Sequence, residues 1–179
     1  SGGAKFDYEK AKWFNHEWIK KLNVESLRLK VKELLLVEGI IITDDPLLDK
    51  VIELVKDRCT LLPDFVQHAG FFFKTPEVLD IDAVKPKWNE EKVIFFEAYC
   101  RLLDAIANLP AGQAGWEMTE IENVFKNLAT EKNIKPGELL LPLRIMLVGG
   151  KFGPAVFQIA ALIGKDETIK RIKNAMAQF

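Results

Sequence analysis

The sequence is poor in the residues that usually build metal centres and active sites. Two cysteines, Cys59 and Cys100, and two histidines, His16 and His68, cannot make a Cys/His zinc site of the usual spacing. No long apolar run exists. Stretches such as Leu34–Val37 and Leu139–Leu143 fall far short of the ~18 residues a membrane helix needs. No basic start followed by an apolar segment marks a signal peptide, and Ser1-Gly2-Gly3 reads as the remnant of a linker. No GxxxxGK[ST] phosphate loop, GxGxxG fingerprint or GxSxG elbow occurs. An excess of one charge is also missing. With 25 Lys and Arg against 26 Asp and Glu, the net charge is -1, which argues against a protein that grips any polyanion.

What is there is the mixture of an ordinary globular protein, 49% hydrophobic and 28% charged over 179 residues. That length suits one domain or two small ones. The charge is unevenly spread. Residues 76–134 carry six bases and eleven acids, whereas residues 135–179 carry seven bases and three acids. A basic end can steer an anionic partner without making the protein basic overall. Charge scatter on solvated helix faces explains the same gradient.

Hydrophobic spacing predicts helices from end to end. Asp7 is placed to cap a first helix through Ile19. Val24, Leu27, Val31, Leu34 and Leu35 form a stripe that Gly39 stops. Ile40–Thr43 is the only plausible extended piece. Asp45 before Pro46 reads as the cap of a third helix running to about Arg58, and a fourth is expected from Leu62 to Phe73. Pro76 and Pro86 bracket an irregular boundary. Beyond it, Asn89 opens a long helix to Leu109, stopped by Pro110-Ala111-Gly112. Thr119–Glu122 has the capping-box spacing. Further helices are expected over 138–148 and 155–163, and a last one capped by Asp166. The expected fold is all-α, in two small helical bundles.

No constellation for catalysis emerges. His16 and His68 sit on helices with no Ser or Cys partner nearby in sequence, Cys59 and Cys100 fall at apolar helical positions, and Asp44-Asp45 and Glu90-Glu91 stand where helices begin. Composition and spacing alone read as a helical binding or scaffold module without a named partner.

Two stretches name one. The first is Phe6-Asp7-Tyr8-Glu9-Lys10-Ala11-Lys12-Trp13-Phe14-Asn15-His16-Glu17-Trp18-Ile19. The second comprises Lys135-Pro136-Gly137-Glu138, Leu141-Pro142-Leu143-Arg144, Gly153-Pro154-Ala155-Val156-Phe157 and Leu162-Ile163-Gly164-Lys165. Between them stand Arg58-Cys59-Thr60-Leu61 and Gly70-Phe71-Phe72-Phe73. In this order they resemble the C-terminal, anticodon-binding region of bacterial glutamyl-tRNA synthetases. The family's HIGH-like and KMSKS-like ATP signatures are absent. The resemblance therefore implies a fragment with no catalytic residue, no metal and no cofactor of its own. Its parent would join glutamate to tRNA using ATP and magnesium. It further implies tRNA as partner, no membrane, a monomer and a cytoplasmic location. Residues 1–22 would end the stem-contact region. Residues 23–76 and 77–179 would be the two helical anticodon-binding subdomains.

The resemblance also implies site residues. Arg144 would contact the middle anticodon base, since a guanidinium is planar and rich in donors; an ion pair with an acid such as Glu138 is the alternative. Gly153, Pro154 and Val156 would pack around the first two bases. A hydroxyl found at the Gly153 position in many members is missing, so contacts there must come from backbone. Lys151 would reach a phosphate and Phe152 would offer a stacking face, or else fill the core. Arg58 would select the third base, or pair with Asp57, Asp64 or a carbonyl. Lys165, Lys170 and Arg171 would meet the phosphate backbone, adding affinity but no sequence choice.

Overall fold

A computed structural model describes residues 7–107 and 115–179. Among them the chain forms nine α-helices, three short 3₁₀ turns and no strand. None of these helices is long and apolar enough to cross a membrane. The chain divides into two compact units, Ser1–Lys74 and Thr75–Phe179.

The first unit holds α1 (Tyr8–Lys21), α2 (Val24–Val37), α3 (Asp45–Val55), a 3₁₀ turn (Lys56–Arg58) and α4 (Asp64–Gly70). Short polar side chains start the first three helices by accepting an otherwise orphaned N–H. Asp7 accepts from Lys10 at 3.1 Å, Asn23 from Ser26 at 2.8 Å and Asp44 from Leu47 at 2.9 Å. The cap of α3 is thus Asp44 rather than Asp45, because Asp45 already lies in the first turn, where it pairs with Lys32 at 2.7 Å. The expected helix from Leu62 to Phe73 shrinks to Asp64–Gly70. Ile40 and Ile42 are buried and Ile41 is exposed, so the β-branched run alternates without any strand to pair with. Leu27, Val31, Leu35, Leu48, Ile52, Val55 and Phe65 close the core. α1 is held by buried Ile19 and by the His16 ring, whose Nδ1 lies 2.9 Å from the Cys59 carbonyl. Its Trp13, Phe14 and Trp18 remain about half exposed.

The second unit holds α5 (Glu90–Ala105), α6 (Met118–Glu131), α7 (Pro136–Val148), α8 (Val156–Ile163) and α9 (Lys165–Met176). Asn89 caps α5 as expected. The predicted end of that helix, Leu109 and Pro110-Ala111-Gly112, lies outside the described residues. α6 begins at Met118 with Glu117 before it, so Thr119 sits inside the first turn and makes no capping box. α9 begins at Lys165 after Gly164, whose φ of +89° suits glycine; Asp166 is a first-turn acid, favourable to the helix dipole but not its cap. Phe95, Tyr99, Phe125 and Phe157 meet at the centre in edge-to-face and stacked pairs 5.2–6.0 Å apart. The Tyr99 hydroxyl donates to the Ile121 carbonyl at 3.1 Å, which satisfies the one polar atom in this cluster.

Candidate nucleic-acid interface

The connection between α7 and α8 is built around one arginine. Arg144 is half-buried on α7, and its Nη1 donates to three successive carbonyls, Phe152 at 3.0 Å, Gly153 at 3.2 Å and Pro154 at 2.7 Å. The carbonyls of this loop therefore turn inward. In a planar trans peptide, the N–H of the next residue points the opposite way. The N–H groups of Gly153 and Ala155 consequently face away from the guanidinium. Among the described residues, neither they nor those of Val156 and Phe157 at the start of α8 make a hydrogen bond. The N–H groups of Gly153 and Ala155 thus stand on the side of the loop away from Arg144, a form suited to base oxygens or phosphate. α8 starts at Val156, one residue later than the expected start at 155.

The base of the loop is tightly fitted. Gly149 ends α7 at φ +86°, and a Cβ there would stand 2.6 Å from the Val78 carbonyl and 3.0 Å from the Pro76 ring. The Asp80 N–H donates to the Gly149 carbonyl at 2.8 Å. The segment 76–80 therefore lies along the foot of the loop. The Phe152 ring covers Gly150, which also has no room for a Cβ. Phe152 itself is half-buried. Lys151 is exposed, with its ammonium 3.8 Å from the Asp80 carboxylate. Pro154 and Val156 are buried, so that only their backbone can reach a ligand.

The basic end divides into distinct roles. Lys170 is exposed and only loosely paired with Glu167, at 3.3 Å. Lys165 donates to the carbonyls of Ile106 at 2.9 Å and Asp104 at 3.2 Å, closing the C-terminal turn of α5. Arg171 cannot serve as a phosphate contact. It is 2% exposed, its Nε donates to Glu167 at 2.8 Å and its Nη1 to the Leu147 carbonyl at 2.7 Å. The spacing of Glu167 and Arg171, four residues apart on one helix, was a readable signal for this pair. Nothing in the sequence showed that Thr75, from far along the chain, also donates to Glu167.

Burial pushes the Glu167 carboxyl up, but hydrogen bonds from Thr75, Arg171 and Lys170, with the Arg171 charge, outweigh it and hold the group below its ordinary value. Its contribution to stability is therefore complete above about pH 5, near the unfolded value. That contribution is lost as the pH falls through the lower folded value. Urea unfolding followed from pH 6 down to pH 3 should show a smaller acid loss for Glu167→Gln than for the wild type.

In the first unit, Arg58 is exposed on the 3₁₀ turn and makes no hydrogen bond or ion pair among the described residues. The Asp64 carboxylate that could have paired with it instead accepts the N–H groups of Thr60 and Leu61, each at 2.8 Å. Burial raises the thiols of Cys59 to about 12 and Cys100 to about 11, so both are protonated and inert at neutral pH. Burial lowers the His68 pKa, against an opposing push from Asp64. Among the described residues no group of three His, Cys, Asp or Glu could hold a metal ion.

Comparison with known proteins bears on the family and the fold. The family described as anticodon binding domain matches residues 8–176. The chain is 34% identical over 174 residues to the glutamate–tRNA ligase of Porphyromonas gingivalis, covering 97% of this chain and 33% of that protein. It is 33% identical over 175 residues to the glutamate–tRNA ligase of Flavobacterium johnsoniae, again over 33% of its length. The crystal structure of a glutamate tRNA ligase from Elizabethkingia meningosepticum superposes with a TM-score of 0.84 at 31% identity, over 98% of this chain and 33% of that one. The glutamate-tRNA synthetase of Elizabethkingia anophelis gives a TM-score of 0.79 at 33% identity, with the same coverage. The chain thus spans about a third of the length of these relatives.

Proposed function

The chain belongs to the anticodon-binding domain family, and from that premise we propose that it reads the anticodon of the tRNA for glutamate as part of a glutamate–tRNA ligase. The observation that carries this reading is the α7–α8 loop, whose carbonyls are gathered on Arg144 and whose Gly153 and Ala155 N–H groups point away from it. A splayed anticodon base presents the complementary acceptors on its edge. Gly153 supplies the backbone donor that stands in for a missing hydroxyl, and Phe152 supplies part of a stacking face. Pro154 and Val156 shape the loop from within. Lys151 and Lys170 are the cations placed to meet phosphates. Arg58, exposed and unencumbered, is the candidate for the third base. In this reading α1 ends the stem-contact region.

The ligase reaction belongs to the parent enzyme, which would use ATP and magnesium. The residues of this chain fit neither group, having no phosphate loop and, among the described residues, no metal cluster. The chain alone does not activate glutamate, and it works as a monomer in the cytoplasm.

Binding to transcripts of the glutamate tRNA, measured by anisotropy at ~50 mM salt where electrostatic binding is strong, tests the reading. The wild type should bind, and should weaken when the middle anticodon base is changed. Arg144→Ala should lose roughly 1–3 kcal/mol of binding, with the greatest loss on the unaltered anticodon. An equal loss on every RNA would mean that Arg144 supports binding without reading the base. No binding to any tRNA would instead favour a protein-interaction module, to which the exposed Trp13, Phe14 and Trp18 would be suited.

A further inference from the structure

We propose that Thr75, Glu167 and Arg171 are positioning residues that hold the Gly149–Pro154 loop in its binding shape; this rests on the reading of that loop as the anticodon contact. One carboxylate oxygen, Oε1 of Glu167, receives both the Thr75 hydroxyl and the Arg171 Nε. The other end of the same guanidinium donates to the Leu147 carbonyl, in the last turn of α7. From Thr75 the chain runs through Pro76 to Val78, and from Leu147 it runs to Gly149. These two segments touch at Gly149, where the Val78 carbonyl occupies the space of a Cβ, and Asp80 then donates to the Gly149 carbonyl. A single ion pair on α9, with its arginine buried and its glutamate partly exposed, therefore grips both backbone segments that make the foot of the loop.

Stability alone does not require such a pair, because a well-packed apolar replacement of a buried ion pair is often as stable. What it adds is direction. A guanidinium has its donors in a fixed fork, so fixing Nε on Glu167 fixes where Nη1 meets Leu147. A loop that binds through backbone N–H groups has no side chain to adjust. Its affinity depends on backbone placement to within roughly 0.5 Å. Arg144 shapes the tip of the loop, and the Thr75–Glu167–Arg171 chain sets the height and angle of its foot.

The test uses the isotope-labelled 179-residue protein and the variants Thr75→Val, Thr75→Ser and Glu167→Gln, at a temperature where thermal unfolding shows each to be folded. Two quantities are read: the amide resonances of Gly149, Gly150 and Gly153 against those of α6, and affinity for the glutamate tRNA transcript. Thr75→Val and Glu167→Gln should move the three glycine amides, leave α6 in place and weaken binding about tenfold. Thr75→Ser, which keeps the hydroxyl, should restore both. The proposal is overturned if the glycine amides stay put, if α6 moves equally, or if the loop shifts while binding is kept. Should Glu167→Gln fail to fold, the Thr75→Val and Thr75→Ser pair decides. Should the wild type bind no tRNA, the anticodon reading fails, and the amide shifts still judge the positioning role.

Discussion

Truncating Phe125 to alanine is expected to cost the Thr75–Phe179 unit about 3–5 kcal/mol, the range for removing a fully buried aromatic ring. Phe125 has no exposed surface and meets Phe95, Tyr99 and Phe157 with ring centroids 5.2–5.3 Å apart. Its neighbours stand on α5 and α8, so the cavity would be walled by three helices that cannot all collapse inward at once. Edge-to-face contacts add directional energy that a smaller apolar residue does not recover. Since a domain's whole stability is about 5–15 kcal/mol, this variant should lower the urea midpoint severely. Hydrogen exchange along α6, read beside that of α3, would show that the loss is confined to the second unit. Phe125→Leu should cost clearly less; equal losses would mean that the ring contacts contribute nothing beyond volume.

Arg171→Met is the second large effect, expected at about 3 kcal/mol, the low end for breaking a buried pair. The low end applies because Glu167 keeps some exposure and retains Lys170 and Thr75 as partners. The Leu147 carbonyl would lose its donor, and a buried acceptor left without one carries its full desolvation cost. Urea unfolding at pH 7 measures the loss. A phosphate-contacting arginine would behave in the opposite manner: its removal would leave stability unchanged and reduce the salt dependence of tRNA binding. The two assays on one variant therefore separate the buried role from the surface role.

Much of the architecture was legible in the residues. Among the described residues the apolar spacing marks the helices, and Asp7 and Asn89 are the caps that the sequence predicts. The errors cluster at helix starts. Asp44 rather than Asp45, Met118 rather than Thr119 and Lys165 rather than Asp166 begin or cap their helices. A Ser, Thr or Asp near a boundary has several neighbouring positions open to it. Packing of the helix body, which sets where the first turn must lie, chooses among them. The Ile40–Thr43 run shows the same principle: alternation buries two of its residues, but an extended segment becomes a strand only where another edge is available.

By itself the sequence determined that this is a helical protein of a family that its ordered motifs resemble. Those properties depend on local periodicity and on which residue types are present, and both are written along the chain. Only the tertiary structure decided what the basic residues do. Arg144 turned out to gather three loop carbonyls and Arg171 to sit in the interior, whereas Arg58 stayed exposed. The spacing of Glu167 and Arg171 hinted at one pair, but no local pattern showed which of the three guanidinium groups would be buried. Burial and hydrogen-bond partners come from segments distant in sequence, such as Thr75 against Glu167. A guanidinium must satisfy its donors wherever folding places it, and so the fold, not the residue type, determined which of them still faces a partner.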